Sequence, residues 1–493
     1  MDIKRAKEEI KNTIEAYLLK DEYGEYKIPQ VRQRPVLLMG PPGIGKTQIM
    51  EQIAKECKIN LVSYTITHHT RQSAVGLPFI KEKEYGGKVY SVTEYTMSEI
   101  IASVYDKIEQ TGIDEGILFI DEINCVSETL APTMLQFLQG KTFGNQAVPK
   151  GWIIVAAGNP PEYNKSVREF DVVTLDRIKK IDVEESFPVW KEYAYRNGLH
   201  QAVISYLEIR KQNFYRVETT VDGKYFATAR GWEDLSNLIQ VYEKLGKIVD
   251  REVVRQYIQH PLTAKDFANY LELYYKYKKD YDVNAILEGN LDPALLAKTK
   301  ASSFDERLNI TGLLNGKLAE EFKEYDEEKM FMDKLYSYLL VYKENKDKMT
   351  LISLIEKVEK DMEEMRKQEL LSKYEERAFV DVQRKLKEFS SSAKTFEEVK
   401  EIFESVVEGH ENKAESIVER LDNGFRFLEE AFGSGQEIVA FVTEINSNYY
   451  AVQFIKENGS EEYYRHNKGL LFEERHNDIV GDMEIFQEML RTR

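Results

Sequence analysis

Cysteine is almost missing from this chain: two thiols, Cys57 and Cys125, stand far apart in 493 residues. Two cysteines build neither a disulfide scaffold nor a four-ligand zinc site, and packing accounts for both better than chemistry does. Histidine is scarce too, at seven, with no HExxH grouping. His68 and His69 are adjacent and so cannot share a helical ligand face, leaving no support for a histidine-built metal site. Long apolar runs are absent as well. No stretch approaches the ~20 residues that a membrane-spanning helix needs. The opening residues, Met1-Asp2-Ile3-Lys4-Arg5-Ala6-Lys7-Glu8-Glu9, are charged and lack the apolar centre of a secretory signal; the expected location is the cytoplasm, with no membrane association. Positive charge is in deficit: 68 Lys and Arg face 85 Asp and Glu, for a net −17. A nucleic-acid binder usually carries a basic footprint, so the balance argues against nucleic acid and against anionic lipid. The nearest basic-aromatic cluster, Lys276-Tyr277-Lys278-Lys279, reads as a solvated helix end.

What is present is a phosphate-binding pattern. Gly40-Pro41-Pro42-Gly43-Ile44-Gly45-Lys46-Thr47 matches G-x-x-x-x-G-K-[ST]. It follows an apolar strand candidate, Pro35 to Met39, and opens a segment from Thr47 and Gln48 to Lys55 with helical apolar spacing. Glycines let backbone N–H groups curl around phosphate oxygens, and the helix N-terminus adds its positive dipole end. Gly40 through Gln48 are therefore the expected nucleotide cradle. In it Lys46 reaches the β- and γ-phosphates, and the Thr47 hydroxyl ligates Mg²⁺.

Downstream, Gly116-Ile117-Leu118-Phe119-Ile120-Asp121-Glu122 reads as a central parallel strand ending in two acids. Ligands of such sheets bind beyond the carboxyl ends of the strands. There Asp121 is expected to hold the Mg²⁺ shell and Glu122 to polarise the attacking water. A strand ending in Asp-Glu is common by itself; behind a phosphate loop it points to nucleotide hydrolysis. A third apolar run, Trp152 to Gly158, ends in Asn159-Pro160-Pro161. Asn159 either starts a turn or contacts the γ-phosphate or lytic water; the order of motifs favours contact.

This series resembles that of AAA+ ATPases. The similarity extends to their MoxR-like branch, which is related to the ATPase subunits of magnesium and cobalt chelatases. Thr70 to Pro78 resembles the loop before that branch's insertion. Leu175-Asp176-Arg177-Ile178 is similar to its "LDRF" segment, and Ala229-Arg230-Gly231-Trp232 to its "sensor 2" helix start. The resemblance covers about residues 30 to 275. It implies that Arg177 reaches a neighbouring subunit's nucleotide and that Arg230 contacts the γ-phosphate in cis. It further implies a homo-oligomeric ring, a hexamer, and a protein client, in this branch often a partner with a von Willebrand A domain. Ile178 stands where the branch often has Phe, and Arg168 is a nearby competitor for the trans role.

The expected fold class is α/β: a P-loop NTPase parallel-sheet core with a helical lid, then a mainly helical region ending in a small strand-rich module. Residues 1–30 read as an N-terminal amphipathic helix and 31–187 as the nucleotide core. Within the core, 66–97 form an insertion with a hairpin signal at Gly86-Gly87. Residues 188–281 read as the lid, interrupted near Asp222-Gly223, and 282–432 as charged helices with a helical stripe from Leu351 to Met365. Residues 433–493 read as the α+β module, with strands at Ile438–Val442 and Tyr449–Ile455. The expected function is Mg·ATP hydrolysis by a ring that remodels or activates a protein partner. The alternatives are a nucleotide-gated scaffold that hydrolyses little, which the presence of Glu122 argues against, and a DNA-associated motor, which the acidic balance places last.

Overall fold

A computed structural model describes residues 1–468, apart from 69, 144–145, 164–166, 168–169, 222, 346–348 and 393–394. The chain divides into two compact units, Met1–Val189 with Glu359–Glu376, and Trp190–Val358 with Arg377–Arg493.

The first unit opens with α1 (Ile3–Leu18), started by the Asp2 side chain accepting from the Arg5 N–H, the usual short-polar cap. It continues through β1 (Val36–Met39), α2 (Lys46–Cys57), β2 (Asn60–Thr65), α3 (Arg71–Val75), β3 (Pro78–Tyr85) and β4 (Lys88–Tyr95). Then come α4 (Glu99–Thr111), β5 (Gly116–Asp121), α5 (Ala131–Gly140), the two-residue strands β6 (Thr142–Phe143) and β7 (Gln146–Ala147), β8 (Trp152–Gly158), α6 (Val172–Leu175) and β9 (Lys179–Asp182).

The central sheet has the order β2-β5-β8-β1-β9, with every neighbouring pair parallel. Strands β5 and β8 are buried on both faces, which is why they are continuous apolar runs. Alternation along them supplies two cores. Ile117, Phe119, Val155 and Ala157 pack with Ile49, Met50 and Ile53 of α2 and Ala6, Ile10 and Ile14 of α1. Leu118, Ile120, Ile154 and Ala156 pack with Ile100 and Val104 of α4 and Met134 and Phe137 of α5. Helices thus cover both faces, and burying each such side chain contributes about 1.5–3 kcal/mol. The expected insertion hairpin is β3 against β4, turned at Gly86-Gly87 with both glycines at positive φ.

The second unit is almost wholly helical. It holds most of α7 (Phe187–Asn197), then α8 (Gln201–Ile209), an antiparallel hairpin of β10 (Arg216–Thr220) and β11 (Gly223–Ala227), α9 (Ala229–Lys244), α10 (Arg251–Tyr257) and α11 (Pro261–Asp280). Beyond these lie α12 (Val283–Leu287), α13 (Pro293–Lys300), α14 (Phe304–Glu344), α15 (Leu351–Lys367), α16 (Lys373–Ser392), α17 (Phe396–Phe432), α18 (Gln436–Ser447) and α19 (Tyr449–Asn458). The end of α15 and the start of α16 belong to the first unit, where Glu369 pairs with Lys107 at 2.5 Å.

The strand-rich module expected at 433–493 is corrected over its described part: residues 438–447 lie in helix α18 and 449–455 in α19, and residues 461–468 are also helical. The physical reason is periodicity. Ile438, Phe441, Val442 and Ile445 recur at helical spacing and bury themselves beside Phe425 and Leu428 of α17. The Asn446-Ser447-Asn448 segment is a junction between helices, where the Asn448 side chain accepts from the N–H groups of Tyr450 and Ala451. Residues 469–493 lie outside the described set, as do His69, Arg168 and Asp222.

Candidate nucleotide site

The carboxyl ends of β1, β5 and β8 lie side by side, the place where an open parallel sheet receives a ligand. After Met39 the chain enters a loop that needs glycine. Gly43 and Gly45 take φ of +77° and +94°, the left-handed region where a side chain is strained. At Gly40 a Cβ would meet the Val183 carbonyl oxygen at 2.6 Å. Helix α2 starts at once, and its N-cap, Gly45, supplies no side-chain cap. A helix start of this kind offers its first-turn N–H groups to an anion.

Lys46 is buried, and its ammonium donates to the carbonyls of Gly40 (2.7 Å) and Pro41 (2.9 Å) and to Oδ1 of Asn159 (2.8 Å). The lysine therefore links the loop to the tip of β8. The Thr47 hydroxyl donates to Oδ2 of Asp121 across 3.1 Å, so both oxygens reach one point. The other Asp121 oxygen accepts from the Glu122 N–H at 2.9 Å. Glu122 has φ +56°, uncommon for a residue other than glycine and concentrated at functional sites. Its carboxylate accepts from the Thr67 hydroxyl at 3.0 Å.

Asn159 is held by a second amide. Asn124 donates to the Asn159 carbonyl at 2.8 Å and accepts from its N–H at 3.3 Å. The contact requires glycine at 158, where a Cβ would lie 2.6 Å from Oδ1 of Asn124. Five of the groups marked in the sequence, Lys46, Thr47, Asp121, Glu122 and Asn159, thus meet at one end of the sheet. Thr67 and Asn124 also belong there, and sequence reasoning missed both. The one available signal was position, since Thr67 follows the strand that pairs with β5 and Asn124 follows Glu122.

The two arginines marked in the sequence lie at other elements. Arg177, just past α6, is exposed, and its guanidinium donates to Oε1 of Gln139 at 2.5 Å. Val172 and Val173 on α6 are 80% and 60% exposed. Arg230 is exposed in the first turn of α9, in the second unit. Burial pushes the Cys57 thiol up, away from thiolate.

Residues 36–175 match the family described as "ATPase family associated with various cellular activities (AAA)". Over that span the chain is similar to AAA ATPase domains. With the parallel sheet, this makes the fold an α/β P-loop NTPase with a mostly helical C-terminal region. Such domains bind nucleotide, generally with Mg²⁺, and hydrolyse it. The residues present here suit that cation: Thr47 and Asp121 present hard oxygen donors beside the phosphate loop. No curated protein matches the chain. No described helix is long and apolar enough to cross a membrane.

Proposed function

We propose that this protein is an ATP-hydrolysing machine of the MoxR-like branch of AAA+ ATPases, working in the cytoplasm as a head-to-tail hexameric ring that remodels or activates a protein partner. The reading is carried by one observation, the meeting of Lys46, Thr47, Asp121, Glu122 and Asn159 at the carboxyl end of a parallel sheet. In it the Gly40–Gln48 segment cradles the triphosphate. Thr47 and Asp121 would hold Mg²⁺, which would supply neutralisation of phosphate charge. Glu122 takes a proton from the attacking water as that water adds to the γ-phosphorus in line with the bond to ADP, which breaks. Lys46 and Asn159 stabilise the charge that gathers on the γ-phosphoryl oxygens.

Arg177 is the residue proposed to act on the neighbouring subunit's nucleotide. Its exposure beside exposed Val172 and Val173 supports an intersubunit role, since a guanidinium keeps its charge and presents a planar fork to phosphate. Arg230 is proposed as the γ-phosphate sensor of its own chain, on the strength of its motif. Loss of the γ-phosphate then releases contacts and moves subunits. The proposed client is a protein, a von Willebrand A domain partner being the first candidate to try.

The test joins an ATPase assay to a pull-down. The wild type should release phosphate from ATP. The Glu122→Gln form should bind ATP, turn over little, sediment as a ring and retain a protein partner. Absence of ATP binding by the wild type would overturn the reading.

A further inference from the structure

The β3–β4 hairpin is fixed at its base. Gly76 has φ +101°, and a Cβ there would meet the Thr96 carbonyl oxygen at 2.1 Å. The Leu77 N–H donates to the Thr96 hydroxyl and the Thr96 N–H to the Leu77 carbonyl, each at 2.9 Å. Beyond this base the register runs from Pro78 opposite Tyr95 to Tyr85 opposite Lys88. Opposed residues share a face and successive residues alternate, so the two faces can be read off.

One face carries Lys81, Lys83 and Lys88 among Phe79, Tyr85 and Tyr90. Its single acid, Glu94, pairs with Lys81 at 3.6 Å and also with Lys83, and the Tyr85 and Tyr90 rings lie 6.1 Å apart. The opposite face carries Glu82 and Glu84 among Ile80, Val89 and Tyr95, with no basic residue. The hairpin is therefore basic and aromatic on one side, acidic and largely aliphatic on the other. Both sides are open: of the strand residues only Lys83, Val92 and Glu94 are not exposed, with Ile80 at 77% and Val89 at 65%. A two-stranded hairpin is marginal in water by itself, and apolar surface on both of its faces marks an interaction site.

We propose that the occupant is a second copy of this chain, the basic-aromatic face of one hairpin packing on the acidic-aliphatic face of the next. The proposal rests on the head-to-tail assembly argued above. Charge complementarity selects this partner, because the two faces match each other and not themselves. A contact between unlike faces is heterologous, and such contacts close into rings when the rotation allows. The lysines and glutamates would set register and exclude the wrong stacking, while the apolar side chains between them supply the buried surface.

Two variants in the Glu122→Gln background test this by sedimentation with ATP at about 0.15 M salt. Lys81→Glu/Lys83→Glu makes both faces acidic, and Glu82→Lys/Glu84→Lys makes both basic. Each alone should lose the ring species. Mixed one to one they should regain it, because every joint in an alternating ring then opposes unlike charges. A hairpin that had merely misfolded would not be rescued by mixing. The proposal is overturned if each variant assembles as well as its parent, or if the mixture assembles no better than either alone. Should the parent itself stay monomeric with ATP, the ring reading fails and the hairpin proposal falls with it, a result distinct from the other two.

Discussion

The ammonium of Lys46 donates to Oδ1 of Asn159 across 2.8 Å, joining the first residue of the phosphate-loop helix to the residue just past the central strand β8. In the proposed reaction both side chains act on the triphosphate but differ in charge, so their losses should differ in kind. Lys46→Ala removes a charge that acts on the ground state. Affinity for ATP should fall roughly 10- to 100-fold, the scale of one charged hydrogen bond of ~1.5–3 kcal/mol. Asn159→Ala should leave affinity within a few-fold and lower turnover by about 10- to 100-fold, since its amide matters most as charge develops. Nucleotide titration beside a phosphate-release assay separates the two. Equal loss of affinity in both variants would refute the division of labour.

Glu122 and Thr67 form the second testable pair. Glu122→Gln should keep ATP binding and lose about 10²- to 10⁴-fold in turnover, the usual worth of a positioned base. The Thr67 hydroxyl donates to that carboxylate at 3.0 Å, which occupies one of its oxygens and turns it toward Thr67. Thr67→Val should therefore raise basal turnover, by roughly two- to tenfold. A fall as steep as that of Glu122→Gln would mean that Thr67 holds the acid in its working position instead.

Why Thr67 escaped sequence reasoning while Glu122 did not is a matter of range. The phosphate loop and the Asp121-Glu122 pair are local patterns, with glycines and acids at fixed offsets from an apolar run. Thr67 reaches Glu122 because β2 pairs with β5, Thr65 opposite Asp121, and no local spacing announces strand order. Asn124 is hidden in the same way: its role arises from the β5–β8 pairing that brings Gly158 against it. Helix α18 shows the opposite failure. The run Ile438-Val439-Ala440-Phe441-Val442 is rich in strand-favouring residues, yet its buried members follow helical spacing, and packing on α17 overrode local preference. The Gly86-Gly87 hairpin was legible because turn chemistry is local.

Lys141 gives a prediction whose sign depends on pH. It closes α5 at φ 53°, is buried, and donates to the Gln30 carbonyl at 2.9 Å. Burial pushes its ammonium down to about 8 from the ordinary 10.5. The unfolded chain therefore holds this proton more tightly than the folded one. Stability rises as pH climbs from about 8 toward 10.5, and the full cost of the buried charge is felt below 8. Lys141→Met removes that cost and one hydrogen bond, so at pH 7 it should stabilise the first unit by about 1–3 kcal/mol. The advantage should shrink by pH 9.5. Denaturant unfolding of both forms at the two pH values checks it; a gap of equal size at both would show that the ammonium is not what costs.

In the second unit a buried charge network joins segments about 250 residues apart in sequence. Lys191 on α7 donates to Glu208 of α8 at 2.7 Å and to Glu444 of α18 at 3.2 Å, and the Tyr195 hydroxyl donates to Glu444. Lys191 and Glu444 are both buried. Burial raises the Glu444 carboxyl against the pull of Lys191, so the pair stands only while both partners are present. Lys191→Met should leave a lone buried carboxylate and cost about 3–5 kcal/mol. Lys191→Met with Glu444→Leu should recover part of that loss, because the uncompensated charge has gone while the Tyr195 hydroxyl has lost its acceptor. Urea unfolding of the single and double variants measures the difference. A double variant as unstable as Lys191→Met would show that packing around the lysine stem, and not charge pairing, fastens α18 to α7. The expected recovery would instead make the far C-terminal helices, outside the AAA match at 36–175, an electrostatically keyed part of the unit that begins at Trp190.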